Sequence, residues 1–378
     1  MHNKRIYLSL PKQSGSEQKY IKNAFETNWI TSGGPNVEEF EHKLEKYFEE
    51  KSFVTALNSG TSAIHLALIL LGVKAGDEVI CQSMTFSASA NPILYQGAVP
   101  VFVDSESDTW NICPQFLEIA IQDRIKRGKK PKAIITVHLY GNPYKVEEVH
   151  AVANKYDIPV IEDSAEALGS SFKGQKCGTF GSLGILSFNG NKIITTSSGG
   201  ALISNSVAVK NRALFFATQA KDKAVHYQHS EIGYNYRMSN VCAGIGLGQM
   251  EILHKNIEAR RETNAFYKEL FRNIDEVTVF ENLNQDFFSN CWLTTILVEA
   301  QNKKNSNREN LRMAFEDANI ECRPLWKPMH LQPIFEKHPY YGENTAEELF
   351  DKGLCLPSGN LSLENKNRIK EVVLNFFV

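Results

Sequence analysis

The sequence predicts an α/β protein, with a large domain on a mostly parallel mixed sheet flanked by helices and a smaller C-terminal α+β domain. Three observations carry that prediction. Short apolar runs rich in β-branched and aromatic residues recur through the first half of the chain, and helix-periodic segments separate them. Beyond residues 233–237 the pattern changes to one long amphipathic segment followed by sparser elements.

In order, strands are predicted at 53–57, 78–81, 99–103, 133–137, 158–161, 184–188 and 201–203, each bounded by turn-forming residues. Helices are predicted between several of them, at 62–71, 87–95, 114–127 and 146–156. Strand–helix–strand alternation is the signature of parallel pairing with helices on both faces. A long helix at 240–272 then connects to strands at 277–280, 292–298 and 320–324 and helices at 307–318 and 364–377. The domains accordingly divide as 1–250 and 251–378, and no internal repeat, low-complexity tract or Gly/Ser linker appears.

Composition bounds the function. The 378 residues are 42% hydrophobic and 22% charged, enough for a large core. With 41 basic against 43 acidic residues there is no basic footprint of the kind that nucleic acid or an anionic membrane requires. Seven cysteines without a C-x-x-C pair argue against a zinc site and a disulfide framework. The N-terminal Met1-His2-Asn3-Lys4-Arg5-Ile6 lacks a following apolar region, and the longest apolar stretch, 63–73, is too short to span a bilayer. A cytoplasmic protein is expected.

Two runs carry chemistry. Val160-Ile161-Glu162-Asp163-Ser164-Ala165-Glu166 is an apolar strand delivering acids into a small-residue turn, and Leu186-Ser187-Phe188-Asn189-Gly190-Asn191-Lys192 delivers a lysine from another strand end. An amine and a carboxylate so placed point to pyridoxal phosphate, which needs an amine for a Schiff base, a carboxylate for its ring nitrogen and donors for its phosphate. Asn58-Ser59-Gly60-Thr61-Ser62-Ala63, after a strand and opening a helix, can supply those donors, although taken alone it reads first as a plain N-cap and points to phosphate only in company with the other two runs. Gly244-Ile245-Gly246-Leu247-Gly248-Gln249 fails the dinucleotide spacing and sits in a helical pattern. His226 and His229 lack a third metal ligand at motif spacing, and Ser197-Ser198-Gly199-Gly200 is not a hydrolase elbow.

The ordered set Gly60-Thr61-Ser62, Thr85-Phe86, Glu162-Asp163-Ser164-Ala165-Glu166, Ser187-Phe188-x-x-x-Lys192, Gly199-Gly200, Gly233-Tyr234-Asn235-Tyr236-Arg237 and Trp326-Lys327-Pro328-x-His330 resembles the DegT/DnrJ/EryC1/StrS sugar aminotransferases. The resemblance runs from Asn28-Trp29-Ile30-Thr31 to Leu356-Pro357-Ser358-Gly359. It implies the aspartate-aminotransferase-like fold (fold type I) and pyridoxal phosphate bound to Lys192, which also shuttles the substrate proton. It also implies that Asp163 pairs with the ring nitrogen and Phe86 stacks on the ring, a position where plain core packing is the competing role. By the same resemblance Gly60, Thr61, Ser62 and Ser187 would hold the phosphate, and Asn235 would reach it from a neighbouring subunit, making a homodimer with shared active sites.

Glu166 departs from the Gln or His of many relatives and either shares a proton with Asp163 or orients it. With Asn189-Gly190-Asn191 in place of His-Pro-x, it resembles the subgroup aminating 4-keto sugars on UDP-N-acetylglucosamine, towards bacillosamine-type residues. The implied reaction is ping-pong, from L-glutamate to C4 of a UDP-2-acetamido-2,6-dideoxy-4-keto-hexose, with Trp29, Thr31, Arg237 and His330 as candidate substrate contacts. Amination of a dTDP-3-keto-6-deoxyhexose and a non-catalytic regulatory role are the alternatives. The related sugar dehydratases replace the lysine by histidine, and Lys192 argues against them.

Overall fold

The computed structural model describes residues 4–299 and 307–377; Met1, His2 and Asn3 of the N-terminal stretch weighed above lie outside the described residues. In chain order the strands are β1 (Phe53–Leu57), β2 (Glu78–Gln82), β3 (Val99–Val103), β4 (Ala133–Val137), β5 (Val160–Asp163), β6 (Ser171–Phe172), β7 (Gln175–Lys176), β8 (Leu183–Ser187) and β9 (Gly200–Ser204). They continue as β10 (Val277–Val279), β11 (Phe287–Phe288), β12 (Thr294–Val298), β13 (Arg323–Pro324), β14 (Tyr340–Tyr341) and β15 (Gly353–Leu356). The helices are α1 (Glu17–Glu26), α2 (Pro35–Tyr47), α3 (Gly60–Leu70), α4 (Ser87–Tyr95), α5 (Pro114–Lys126) and α6 (Val146–Lys155). After them come α7 (Val207–Ala217), α8 (Asn240–Met250), α9 (Leu253–Phe271), α10 (Arg308–Asp317), α11 (Thr345–Lys352) and α12 (Leu363–Phe377).

Eight strands form one sheet in the order β1-β9-β8-β5-β4-β2-β3-β14. Every pair from β8 to β14 is parallel, and β9 runs antiparallel between β8 and β1, so the sheet is mixed as expected. Parallel strands must be covered on both faces, and the pleat supplies both sets of apolar side chains. Ile135, Ile161, Ile185 and Leu202 meet Leu66 and Leu68 of α3, whereas Ile80, Val101, Ile134 and Val160 meet Leu117 and Ile121 of α5 and Val149 of α6.

A second, antiparallel sheet, β10-β12-β15-β13, packs Ile296 and Val298 against Tyr267 and Phe271 of α9, Phe315 of α10 and Ile369 of α12. Ile6 from the N-terminal end joins that core, and β14 from the C-terminal part joins the large sheet. No helix among the described residues is long and apolar enough to cross a membrane.

The single long helix expected over 240–272 is two helices. Ile252 leaves helical geometry (φ −116°, ψ 8°) because the two halves pack on different partners. α8 lies against α1 and α2, where a Cβ at Gly246 would meet the Phe40 ring at 2.8 Å and one at Gly248 the Glu17 backbone at 2.8 Å, whereas α9 runs on to the second sheet. The glycine-rich run is thus a close helix contact. The strand expected at 320–324 shrinks to β13, with Ile320 making an isolated bridge to Ile6. The strand expected at 158–161 sits two residues later, so that Asp163 ends it.

Candidate active site

The carboxyl ends of β1, β2, β5 and β8 open into one cavity of about 630 Å³. Each strand hands over a different group there: Gly60 and Thr61 open α3 after β1, Phe86 follows β2, Asp163 ends β5 and Ser187 ends β8. Lys192 enters from the turn that returns the chain from β8 to Gly200 of β9. A crevice outside the carboxyl ends of parallel strands is where such sheets place their ligands.

Lys192 is nearly closed off from solvent. Its Nζ donates to Glu166 Oε1 at 3.2 Å and lies 4.2 Å from the centre of the Trp292 ring, a cation–π contact that confines the head group. Trp292 is itself held by its Nε1–H donating to the carbonyl of Asn191 at 2.8 Å. The second oxygen of Glu166 accepts the N–H of Tyr140 at 2.7 Å. Tyr140 takes a left-handed backbone (φ 54°), which a non-glycine residue adopts only at a cost the surroundings must offset. Its buried hydroxyl accepts the Trp326 N–H at 2.9 Å, so one residue ties the carboxylate to the opposite wall. Burial pushes the Glu166 carboxyl up to about 7, against the opposing pull of the Lys192 charge.

Asp163 is held on both oxygens, accepting the Ala165 N–H on Oδ1 at 3.1 Å and the Ser89 hydroxyl on Oδ2 at 2.7 Å. Ser89 in turn shares a 2.7 Å hydrogen bond with Thr85. The carboxylate cannot swing, and it stands 5% exposed on the cavity wall.

At the cradle, Ser59 caps α3 by accepting the Ser62 N–H at 3.0 Å. The N–H groups of Gly60 and Thr61 belong to the first turn and have no intrahelical acceptor, so they and the helix dipole are available to an anion. Gly200 of β9 passes so close beneath that a Cβ there would sit 2.3 Å from the Ser59 backbone, and one at Gly60 would meet Ser187 Cβ at 3.1 Å. The glycines therefore let the cradle and Ser187 share one small volume. Orphan helix donors, a held carboxylate and a confined amine around one cavity fit pyridoxal phosphate. When bound, that group supplies an aldehyde that bonds amines and a ring that takes up electrons from the adjacent carbon.

Of the residues singled out in the sequence, Gly60, Thr61, Phe86, Asp163, Glu166, Ser187 and Lys192 line this cavity. Phe86 is 55% exposed and tilts against Trp326 at 5.6 Å, so it is a wall of the site and no core residue. Ser62 does not line it, because its hydroxyl is spent on Asn58 and Ser59 within the cap. Arg237 lies elsewhere, ion-paired with Glu41 and donating to the Ala56 carbonyl at 3.1 Å. His330 is also elsewhere, bonded to Ser83 at 2.6 Å and Glu347 at 3.1 Å and stacked on Tyr340. Trp29, Thr31 and Asn235 are exposed and outside the cavity of their own chain.

The sequence reading missed Ser89, Tyr140 and Trp292, which no local pattern marks. Trp326 and Lys327 also line the cavity and stood in the last motif, where only His330 was weighed as a contact. The two histidines set aside as a metal pair bond within an exposed loop, to Gln228 and to the Gln219 carbonyl, and no metal-binding group occurs among the described residues.

The profile of the DegT/DnrJ/EryC1/StrS aminotransferase family matches residues 11–374. EpsN of Bacillus subtilis, provisionally described as a pyridoxal phosphate-dependent aminotransferase, is 48% identical across 100% of this chain and 97% of its own. GDP-perosamine synthase of Escherichia coli O157:H7 is 38% identical across 99% of both chains. The UDP-4-amino-4,6-dideoxy-N-acetyl-beta-L-altrosamine transaminase of Campylobacter jejuni is 38% identical across 64% of this chain and 63% of its own. The crystal structure of a DegT DnrJ EryC1 StrS aminotransferase from Brucella abortus superposes with a TM-score of 0.89, at 30% identity over 96% of this chain and 95% of that one. With the amine, the carboxylate and the phosphate cradle in place, the chain belongs to the DegT/DnrJ/EryC1/StrS aminotransferase family and is a pyridoxal phosphate-dependent sugar aminotransferase.

Proposed function

We propose that the enzyme moves the amino group of L-glutamate to C4 of a UDP-2-acetamido-2,6-dideoxy-4-keto-hexose, in two half-reactions on one site. The observation that carries this reading is the charge layout of the cavity. Lys192, Asp163 and Glu166 form its closed part, the Lys192 side chain 11% exposed and the two acids buried, whereas the cations Arg323 and Lys327 line a more open part, the Arg323 side chain being 65% exposed. A nucleotide sugar would lay its diphosphate against the cations and its ketone towards the amine.

Lys192 would move the proton from the α-carbon of glutamate to the cofactor carbon in the first half-reaction and from that carbon to C4 of the sugar in the second, with Nζ held at hand by Glu166 and Trp292. Asp163 would keep a proton on the ring nitrogen, and the walls at Trp292, Leu325 and Trp326 would keep bulk water off. Similarity to a transaminase named for a UDP-linked 4-amino-4,6-dideoxy N-acetyl sugar supports C4 and UDP. Similarity to GDP-perosamine synthase over nearly the whole chain favours GDP as the second candidate nucleotide. The exposed Asn235, Trp29 and Thr31 would complete the cavity of a second copy in a homodimer, with Asn235 on its phosphate.

The test is the visible absorbance of the holoenzyme. L-Glutamate should bleach the lysine-bound cofactor band, and a UDP-4-keto sugar should restore it with release of the amino sugar. Restoration by a GDP-4-keto sugar alone would move the nucleotide assignment, and restoration by a dTDP-3-keto sugar alone would overturn the C4 assignment.

A further inference from the structure

A second, smaller cavity of about 160 Å³ lies between α9 and the start of β12, and Leu293 lines it and the active-site cavity alike. Arg261, Asn264 and Lys268 reach it at the three- and four-residue spacing of one face of α9, joined by Asn142 and Asn282 from loops. The lining includes two cations and three amides, and no carboxylate among the described residues. Thr295 is also part of the lining, and its buried hydroxyl has no hydrogen-bond partner among the described residues.

The cations are placed without being spent. Arg261 donates from Nη1 to the Ser289 carbonyl at 2.6 Å and lies over the Phe288 ring at 4.2 Å, which fixes its plane and leaves Nε and Nη2 without an acceptor among the described residues. Lys268 pairs at 3.1 Å with Glu281, a carboxylate 66% exposed, and an ion pair with so exposed a partner is readily exchanged for a better one. We propose that this cavity is a binding site for a small oxyanion of the phosphate class, gripped by the Arg261 fork and the Lys268 charge. Two cations on one small cavity favour a dianion over a monoanion. Its wall is Cys291, held with φ 51° between Asn290, which donates to the Glu166 carbonyl at 2.8 Å, and Trp292. A bound anion would thus sit behind the wall that confines Lys192. The site does not depend on which sugar the enzyme uses.

The test is calorimetric titration of the holoenzyme with inorganic phosphate at fixed ionic strength, with acetate as a second titrant. One saturable phosphate site is expected, with affinity lowered by about tenfold or more in Arg261→Gln and in Lys268→Gln, and with acetate weaker. Both variants should keep the lysine-bound cofactor band and its bleaching by glutamate, which separates this site from the active site. Should Arg261→Gln loosen the 288–289 segment, Lys268→Gln still reads the site, since Lys268 is held by an exposed ion pair. Absence of saturable heat, or an affinity that neither substitution moves, would overturn the proposal. Acetate binding as tightly as phosphate would overturn the dianion assignment.

Discussion

Glu162 and Asp163 are neighbours on β5, yet the pleat sends them to opposite faces of the sheet. Glu162 is sealed off completely, hydrogen-bonded to His138 at 2.6 Å and accepting the N–H groups of Gly178, Phe180 and Gly181. Asp163 and, one turn on, Glu166 face the cavity instead. Burial pushes both glutamates up, but the His138 bond and the backbone donors hold Glu162 below the usual carboxylate range. Glu166 has only the Tyr140 N–H and Lys192, and it rises to about 7. Burial is common to both, so the number of fixed donors decides which is an anchor and which a titrating partner of the reactive amine.

The largest effect expected from breaking this contrast is on the cavity side. Lys192→Ala should abolish the lysine-bound cofactor band and lower transamination by roughly 10³-fold or more, about 4 kcal/mol of barrier, in steady-state assays. Urea unfolding of the same variant should stay near wild type, because the anchor behind the sheet is untouched. A variant that retains the band would sink the assignment of the amine.

On the other face, Glu162→Ala should act on stability. It removes the acceptor of three backbone N–H groups and leaves His138 buried without its partner, a loss of about 3–5 kcal/mol in the urea midpoint analysis. A cost under about 1 kcal/mol would show that the loop 178–181 holds β5 without it.

Glu166→Gln sharpens the comparison through pH. A carboxyl raised in the fold stays protonated in the native state after the unfolded chain has released its proton, so the contribution of Glu166 to stability is fully present below about 4.5 and is lost as pH rises to about 7. Thermal melts of the cofactor-free protein should therefore show wild type losing on the order of 3 kcal/mol relative to Glu166→Gln across that window, then running parallel above it. Parallel curves throughout would mean that Lys192 keeps Glu166 ionised.

The contrast also explains what could be read in the sequence. Asp163, Ser187, Gly60 and Thr61 are legible because each stands at the end of a strand or the start of a helix, where local pattern fixes both the element and the direction of the group; Lys192, in the turn after β8 rather than at the strand end expected, is legible only through its motif spacing from Ser187. Gly199-Gly200 is legible as a motif but not as a reason, since the Ser59 backbone that Gly200 must clear follows β1, far off in the sequence. Tyr140 and Trp292 reach the site through long-range packing, and nothing in their own neighbourhoods announces it. The helices α1 and α2 went unread even though Val37, Phe40 and Leu44 keep helical spacing and are fully buried. His330 and Arg237 show the converse: a motif residue can serve the scaffold, here by tying Pro328–Leu331 to the end of β2 and the Gly233–Arg237 turn to Glu41.

The smallest effect is expected at Ser89, and it asks how tightly the cavity carboxylate must be held. Ser89 on α4 donates to Asp163 Oδ2 at 2.7 Å, and Thr85 orients it, while Ala165 holds only the other oxygen. Ser89→Ala removes one of the hydrogen bonds that hold the carboxylate, so kcat should fall roughly fivefold, about 1 kcal/mol of barrier, if Asp163 must keep its aim at the ring nitrogen. Ser89→Thr keeps the hydroxyl and should recover most of that loss, whereas KM for the sugar should be unchanged in both. A drop in urea stability with kcat intact would instead make Ser89 part of the packing between α4 and β5, and the held carboxylate would then need only the Ala165 N–H to do its work.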